Sequence, residues 1–475
     1  MPNIDALSEL RELLGPKGYS DDRDAMTPWL TDWRGRYTGN AAAIVSPAST
    51  AEVAAVVQIA ARYRLPIVPQ GGNSGMVAGA TPDSSGEQII LSLRRMNAIE
   101  AVDADGGLVR CEAGVILQNL HDAVAASGRR FPLTLGGKGS ATVGGLISTN
   151  AGGTQVLRHG TMRHLVAGIE AVLPDGSVYD GMAPLKKDNR GYDFKHLLIG
   201  GEGTIGIVTR AVLNTVPALI DRCVVWAGID SPAQAYHLLL FMQARSRERL
   251  EGFEILPQRA LGAVVKHISG TREPLETPHR WHALMEFVQD DPGQAGPAVL
   301  ATKLLEEAIG RGLLENATIA ASEAQADAFW KIRDSIAEAE RAEGPALQHD
   351  ISVPVPDMAR FIESESPVIE ARWPGTKTVA FGHLGDGNIH FHVKAPTSIA
   401  AADWYEGDGK AVTAFVYDRV RDYAGSLSAE HGIGQAKIDE FSRGTDPARL
   451  AALRAIKAAF DPLGIMNPGK LVPLA

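Results

Sequence analysis

Pro69-Gln70-Gly71-Gly72-Asn73-Ser74-Gly75-Met76 ends an extended segment, Leu65-Pro66-Ile67-Val68-Pro69, with three glycines in five residues. Glycine takes positive φ angles at little cost and lets backbone N–H groups approach a ligand closely. Successive N–H groups turned inward form a concavity suited to phosphate. The stretch is neither a Walker loop nor GxGxxG, so the usual mononucleotide and Rossmann assignments do not apply. By itself it reads equally well as an ordinary glycine-rich loop.

Two further stretches weaken that alternative. Gly136-Gly137-Lys138-Gly139-Ser140-Ala141-Thr142-Val143-Gly144-Gly145 leads into Leu146-Ile147-Ser148-Thr149-Asn150-Ala151-Gly152-Gly153. Small residues and hydroxyls dominate, with few large side chains to fill a core, and a long flat cofactor would cover so bare a backbone. Gly200-Gly201-Glu202-Gly203-Thr204-Ile205-Gly206-Ile207-Val208 repeats the style at a strand start. Together the three favour a bound dinucleotide over chance loops.

Working outward, residues 1–40 read as a helical lead-in. Ala43-Ile44-Val45 is a short apolar run. Thr50 then opens a helix reaching Tyr63, with Thr50 as its cap and Glu52 near the positive helix end. Strands are expected at 88–93, 107–113, 166–173 and 206–216, punctuated by Asp105-Gly106 and Asp175-Gly176. This is an α+β mixture with one clear strand–helix–strand unit. After Pro217 the glycine density falls, and runs such as Cys223–Ile229 and Ala283–Val288 alternate with helices, as in a second α+β domain.

The bulk properties bound the function. A chain of 475 residues calls for two or three domains, and a net charge of -10 argues against a general nucleic-acid binder. Two cysteines, Cys111 and Cys223, exclude a disulfide scaffold and suit a reducing compartment. The first residues, MPNIDALSELRELLGP, form an acidic amphipathic pattern and not a signal peptide. No run approaches the length of a membrane span, and the expected location is the cytoplasm.

A second constellation is richer in chemistry. Phe381-Gly382-His383-Leu384-Gly385-Asp386-Gly387-Asn388-Ile389-His390 reads as a glycine-punctuated turn carrying two histidines, and Ser428-Ala429-Glu430-His431-Gly432-Ile433-Gly434 follows. Imidazole and carboxylate ligands suit Zn²⁺ and related ions, and three protein ligands leave positions open for substrate. Spacing alone leaves hydrogen-bonded structural histidines as the alternative. Phe329-Trp330-Lys331-Ile332-Arg333-Asp334 reads as the start of an amphipathic helix, and Arg333 as either a carboxylate-binding residue or a surface partner of Asp334 or Glu338.

The loops PQGGNSGM, GGKGSATVGG…STNAGG and KKDNRGYDFKHLLIGGEGTIGIVT resemble the FAD-binding domain of the vanillyl-alcohol oxidase/PCMH flavoprotein superfamily. With GHLGDGNIH and SAEHGIG, the chain resembles the branch of D-2-hydroxyglutarate dehydrogenases, D-lactate dehydrogenases and the glycolate oxidase FAD subunit, over residues 30–472. The resemblance implies a PCMH-type FAD-binding domain of two α+β subdomains at 41–217, an α+β substrate or cap domain at 218–425, and a C-terminal helical segment at 426–475 returning to the flavin.

It also implies roles. Non-covalent FAD would lie extended, its pyrophosphate on Pro69, Gln70, Gly71, Gly72, Asn73, Ser74, Gly75 and Met76. Gly137, Ser140, Gly144, Gly145, Ser148, Thr149, Asn150, Gly152 and Gly153 would line it, with Glu202, Gly203, Gly206, Ile207 and Asn467 nearby. Covalent relatives often carry histidine in the first loop, where this chain has Gly72-Asn73-Ser74. His383, His390 and Glu430 are the implied ligands of Zn²⁺ or another divalent metal, His431 the implied base, Asn388 a substrate-orienting group and Arg333 the substrate-carboxylate arginine. In the implied reaction a 2-hydroxy acid chelates the metal, His431 takes the hydroxyl proton and hydride passes to flavin N5.

Some positions depart from that pattern. Gln348 stands where D-2-hydroxyglutarate dehydrogenases carry a substrate-holding lysine, Ala337 where they carry threonine and His392 where asparagine is usual. Arg190 replaces the commoner threonine. The changes at Gln348, Ala337 and His392, which fall at substrate positions, point to altered substrate choice, with D-lactate or a bulkier hydroxy acid as expected as D-2-hydroxyglutarate. The absence of a nicotinamide fingerprint points to a quinone, an electron-transfer flavoprotein or a cytochrome as acceptor, with oxygen and a homodimer both open. Two alternatives remain: a flavoenzyme acting on another alcohol without metal, and a flavin subunit of a glycolate-oxidase-like complex.

Overall fold

The computed structural model describes residues 3–397 and 399–473, and the chain falls into two compact units. The first takes the chain up to Gly153, Gly160–Ala218 and everything from Glu430 onward; the second takes Thr154–His159 and Leu219–Ala429. The short stretch Thr154–His159, directly after the glycine-rich run, thus clusters with the second unit. There Arg158 pairs with Glu251 at 3.1 Å and with Asp290 at 2.5 Å.

The first unit holds two main sheets. In one, Ala43–Val45 and Ile67–Gln70 flank Ile89–Ser92, both parallel to it, and Tyr19–Ser20 adds an antiparallel edge. All four residues of Ile89–Ser92 are buried, as a parallel strand covered on both faces requires. The crossover helix Thr50–Tyr63 is capped by Ser49, one residue earlier than the sequence suggests: its hydroxyl accepts the Glu52 N–H at 3.2 Å, while Glu52 reaches back to the Ala48 N–H. The other sheet is antiparallel, in the spatial order Ile99–Asp103, Leu108–Glu112, Ile207–Asn214, Val166–Val172, Val178–Gly181. The lead-in keeps its helices, Ile4–Gly18 and Arg23–Leu30, around the edge strand.

The second unit is one seven-stranded antiparallel sheet with helices on both faces. Its spatial order is Asn316–Ile319, Asp221–Ile229, Trp281–Gln289, Leu250–Pro257, Lys377–His383, Asn388–Lys394, Ala346–Ser352. Side chains alternate across a strand, so each strand feeds two cores. One core joins Val225, Phe253, Met285, Ile389, Phe391 and Val393 to helices Pro232–Ser246, Pro297–Gly310, Met358–Arg372 and Asp408–Asp422. The other joins Val224, Trp226, Leu256, Val379 and Phe381 to helices Gln258–His267, Glu323–Asp334 and Ile336–Ala342.

Two expectations are corrected here. His383 and His390 do not share a turn: His383 ends the strand Lys377–His383, His390 lies within its paired strand Asn388–Lys394, and only 384–387 forms the turn. The helix carrying Arg333 begins at Glu323, capped by Ser322, so Phe329 lies inside it and Arg333 in its last turn. No helix among the described residues is long and apolar enough to cross a membrane.

Candidate functional site

In the first unit the three glycine-rich stretches converge. A Cβ at Gly72 would stand 1.6 Å from the Ser140 carbonyl oxygen, and one at Gly153 would stand 2.1 Å from that of Thr134. Only glycine lets these backbones touch. By contrast a Cβ at Gly75, Gly136 or Gly139 would meet nothing within 4 Å. The helix Val143–Thr149 begins beside this junction and ends at Asn150, in the left-handed conformation; Ser148 then accepts the Glu202 N–H at 2.9 Å. Asn73, Ala78, Asn150, Glu202 and Asn467 hold φ of 50°, 55°, 51°, 49° and 44°. Such angles cost a side chain on the order of 1 kcal/mol or more and gather where a site is shaped.

Several side chains in these loops are committed to the framework. Gln70 donates to the Trp29 and Ala80 carbonyls, Asn73 to that of Thr31, and Asn150 accepts from Thr161 and the Arg163 N–H. Glu202 is buried and accepts the Ile433 and Gly434 N–H groups at 2.7 and 2.8 Å. Burial raises its carboxyl above the ordinary value despite those donors. Asn467 donates to the Gly79 and Glu202 carbonyls. The SAEHGIG turn is therefore gripped by a residue more than two hundred positions earlier. Lys470, also buried in this unit, is pushed down to about 8 by burial, against the pull of Asp83 and Glu202.

In the second unit the candidate residues form ordered rows on one sheet face. Ser352, Asn388, His383 and Glu254 are successive cross-strand neighbours, as are Asp350, His390 and Phe381, and then Gln348, His392 and Val379. Glu254 is the hub: Oε2 accepts from Arg333 Nε at 2.7 Å and Oε1 is hydrogen-bonded to His383 Nδ1. Burial pushes the Glu254 carboxyl up, but Arg333 and His383 outweigh it and hold the group well below the usual carboxylate range. Arg333 Nη2 lies 3.4 Å from His383 Nε2, and its guanidinium lies 5.3 Å from the Phe381 ring centre. Asn388 donates to Asp350 Oδ1 at 2.9 Å and to the Ile351 carbonyl, leaving its own Oδ1 buried without a hydrogen-bond partner. Burial, then Arg333 and His383, push His390 well below the ordinary imidazole value. The His383 and His390 rings stand 5.6 Å apart between centres.

Comparison with known proteins gives these residues a context. The family described as "FAD linked oxidases, C-terminal domain" matches residues 220–471, and "FAD binding domain" matches 41–181. The chain belongs to the FAD-linked oxidases. The D-2-hydroxyglutarate dehydrogenase of Arabidopsis thaliana mitochondria is 34% identical over 98% of this chain and 81% of its own length. That of Xanthomonas citri pv. viticola is 34% identical over 93% and 91%, and that of Stutzerimonas stutzeri 32% identical over 98% of each. A putative mitochondrial D-lactate dehydrogenase of Schizosaccharomyces pombe is 33% identical over 95% of this chain and 86% of its own. Among solved structures, p-cresol methylhydroxylase shares the fold at TM-score 0.74 and 16% identity, over 98% of this chain and 96% of its own. 4-Ethylphenol oxidase from Gulosibacter chungangensis does so at 0.71 and 19%, over 99% and 97%.

The first unit fits the cofactor that gives this family its name. The open faces at Gly75, Gly136 and Gly139 offer bare backbone, and Thr142 Oγ1 and Asn467 Oδ1 are buried acceptors without a hydrogen-bond partner. The donor set of the second unit likewise suits a divalent metal. His383 spends Nδ1 on Glu254, the arrangement by which a carboxylate orients an imidazole whose Nε2 can serve as a ligand. Arg333, expected either in the site or on the surface, is buried beside that imidazole and pairs with Glu254.

Glu254, Asp350 and Glu340 escaped the motif reading. The partners of each come from distant strands and helices. A signal existed: an acid within the apolar run Gly252-Phe253-Glu254-Ile255-Leu256 is a buried charge that needs a partner.

Proposed function

We propose that this protein is an FAD-dependent, divalent-metal-assisted dehydrogenase that oxidises a D-2-hydroxy acid to the 2-oxo acid. The observation that carries this reading is the Arg333–Glu254–His383 cluster beside His390 and Asn388, on a chain whose relatives are named as D-2-hydroxyglutarate and D-lactate dehydrogenases.

When bound, FAD supplies the two-electron acceptor and a divalent ion such as Zn²⁺ supplies Lewis acidity at the substrate hydroxyl. The 69–76 and 136–153 loops, with Glu202, Gly203, Gly206, Ile207 and Asn467, form our FAD cradle, and His383, His390 and Glu430 our metal ligands. Each of the remaining roles falls to a named side chain. Arg333 binds the substrate carboxylate through a planar fork that lysine lacks. Glu254 keeps that guanidinium and the His383 ring oriented. Asn388, its amide nitrogen already held by Asp350, offers Oδ1 to the substrate. His431 takes the hydroxyl proton, and the Glu202 grip on the following residues fixes the turn that carries it.

A quinone, an electron-transfer flavoprotein or a cytochrome is our choice of final acceptor. Two buried, unpaired cysteines suit a reducing compartment such as the cytoplasm. The test is anaerobic addition of D- and L-lactate, malate and 2-hydroxyglutarate to the purified flavoprotein. The expected result is bleaching of the flavin band by a D-acid alone, abolished by a chelator and restored by Zn²⁺ or Mn²⁺. Bleaching that survives chelation would support a metal-free alcohol oxidation instead.

A further inference from the structure

One row further along the sheet from His390 lies a group of polar residues that the reaction above does not use. Gln348 and His392 face each other across the Ala346–Ser352 and Asn388–Lys394 strands, and His392 Nδ1 is hydrogen-bonded to Glu340 Oε2. Glu340 is 2% exposed, and its second oxygen, Oε1, is buried with no hydrogen-bond partner. The Gln348 side chain is half-buried and makes no hydrogen bond to the described residues. Buried acceptors are ordinarily paired, so Oε1 marks a position that expects a donor.

We propose that Glu340, His392 and Gln348 select the tail of the substrate, and that they select a 2-hydroxy monocarboxylate carrying a hydroxyl or other donor there while rejecting a second carboxylate. The inference rests on the D-2-hydroxy acid reading. Residues two apart on a strand lie roughly 7 Å from one another on the same face. A substrate whose head lies at Arg333 and His390 can therefore bring a tail of a few atoms to the His392 row.

The charges there decide which tail is welcome. A carboxylate hydrogen-bonded to an imidazole brings no net positive charge, and Gln348 brings none. The buried cations bordering these rows already face carboxylates: Arg333 faces Glu254 at 2.7 Å, and Lys394 faces Glu343 at 2.7 Å. A tail carboxylate would thus lose water without gaining a counter-charge and would sit near the Glu340 oxygen. A tail hydroxyl would satisfy Oε1 directly. Selection therefore arises from repulsion as well as from attraction.

The test compares rates of anaerobic flavin reduction by D-lactate, D-glycerate, D-malate and D-2-hydroxyglutarate. The expected order puts D-glycerate first and D-2-hydroxyglutarate at least about tenfold below it in kcat/KM, a ratio worth ~1.4 kcal/mol. Gln348→Lys supplies a cation at a half-buried position and should raise the D-2-hydroxyglutarate to D-lactate ratio about tenfold or more. Glu340→Gln should lower the D-glycerate to D-lactate ratio and relieve the penalty on the diacids. Flavin content and thermal midpoint certify that each variant is folded, and Gln348→Lys stands alone if Glu340→Gln is not. Equal rates for mono- and diacids, or variants that scale every substrate alike, overturn the proposal. Bleaching by none of the acids overturns the reaction assigned above instead, and this inference falls with it.

Discussion

Glu254 accepts from Arg333 Nε through one oxygen, at 2.7 Å, and is hydrogen-bonded to His383 Nδ1 through the other, so one buried carboxylate orients the guanidinium and the imidazole together. Removing it strands a buried cation beside a histidine. Glu254→Ala should cost roughly 3–5 kcal/mol of stability, the usual penalty for deleting one partner of a buried pair. Urea unfolding reads this loss. Glu254→Gln keeps the shape and should fold, but with KM for the hydroxy acid raised because a neutral amide holds the Arg333 fork and the His383 ring less firmly than the charged carboxylate does. Unchanged KM in that variant would refute the orienting role.

The glycine loops give a sharp contrast. A Cβ at Gly72 would stand 1.6 Å from a backbone oxygen, whereas one at Gly75 meets nothing within 4 Å. Gly72→Ala should separate the two loops and yield protein with little bound flavin. Gly75→Ala should remain folded, and any loss of flavin there reports contact with the cofactor itself. The ratio of flavin to protein absorbance measures both.

Glu202→Ala leaves the Ile433 and Gly434 N–H groups buried without an acceptor. Each unsatisfied donor costs about 1–3 kcal/mol. The thermal midpoint should fall, and kcat should fall more than KM rises because His431 sits immediately before the released turn. A variant with wild-type kcat would show that the turn holds itself.

His282 makes stability depend on pH. It accepts from Trp226 Nε1 at 3.1 Å and donates to Gln258 Oε1 at 2.7 Å, and burial pushes it down to about 4. Above the ordinary imidazole value, near ~6.5, folded and unfolded chains both hold it neutral. Between that value and about 4 only the unfolded chain takes up the proton. The stability present above the ordinary value is therefore lost as the pH falls through this window, on the order of 2 kcal/mol between neutrality and pH ~5. In His282→Gln the urea midpoint should vary less over that range; an unchanged slope would assign the acid sensitivity to other groups.

Local sequence carried much of this architecture. The apolar runs at Cys223–Ile229 and Ala283–Val288 fall in strands and the helix at Thr50–Tyr63 forms as its pattern suggests, with the cap one residue earlier at Ser49. The glycine density at 69–76, 136–153 and 200–206 marked the flavin half, because a backbone that must touch another backbone excludes side chains whatever the fold around it. The histidine motifs marked, by residue type, the side chains to which we assign the chemistry. Alternation along the strands was another matter: the sequence shows His390 and His392 two apart, but not that Gln348, His392 and Val379 lie in one row, since register depends on which strands pair. Tertiary structure alone made Glu254 the shared partner of Arg333 and His383, and seated Glu340 on His392. A lone acid in an apolar run announces a buried charge, and its partner is chosen only when strands and helices far apart in the chain close around it, because desolvating a charge is tolerated only beside its counter-charge.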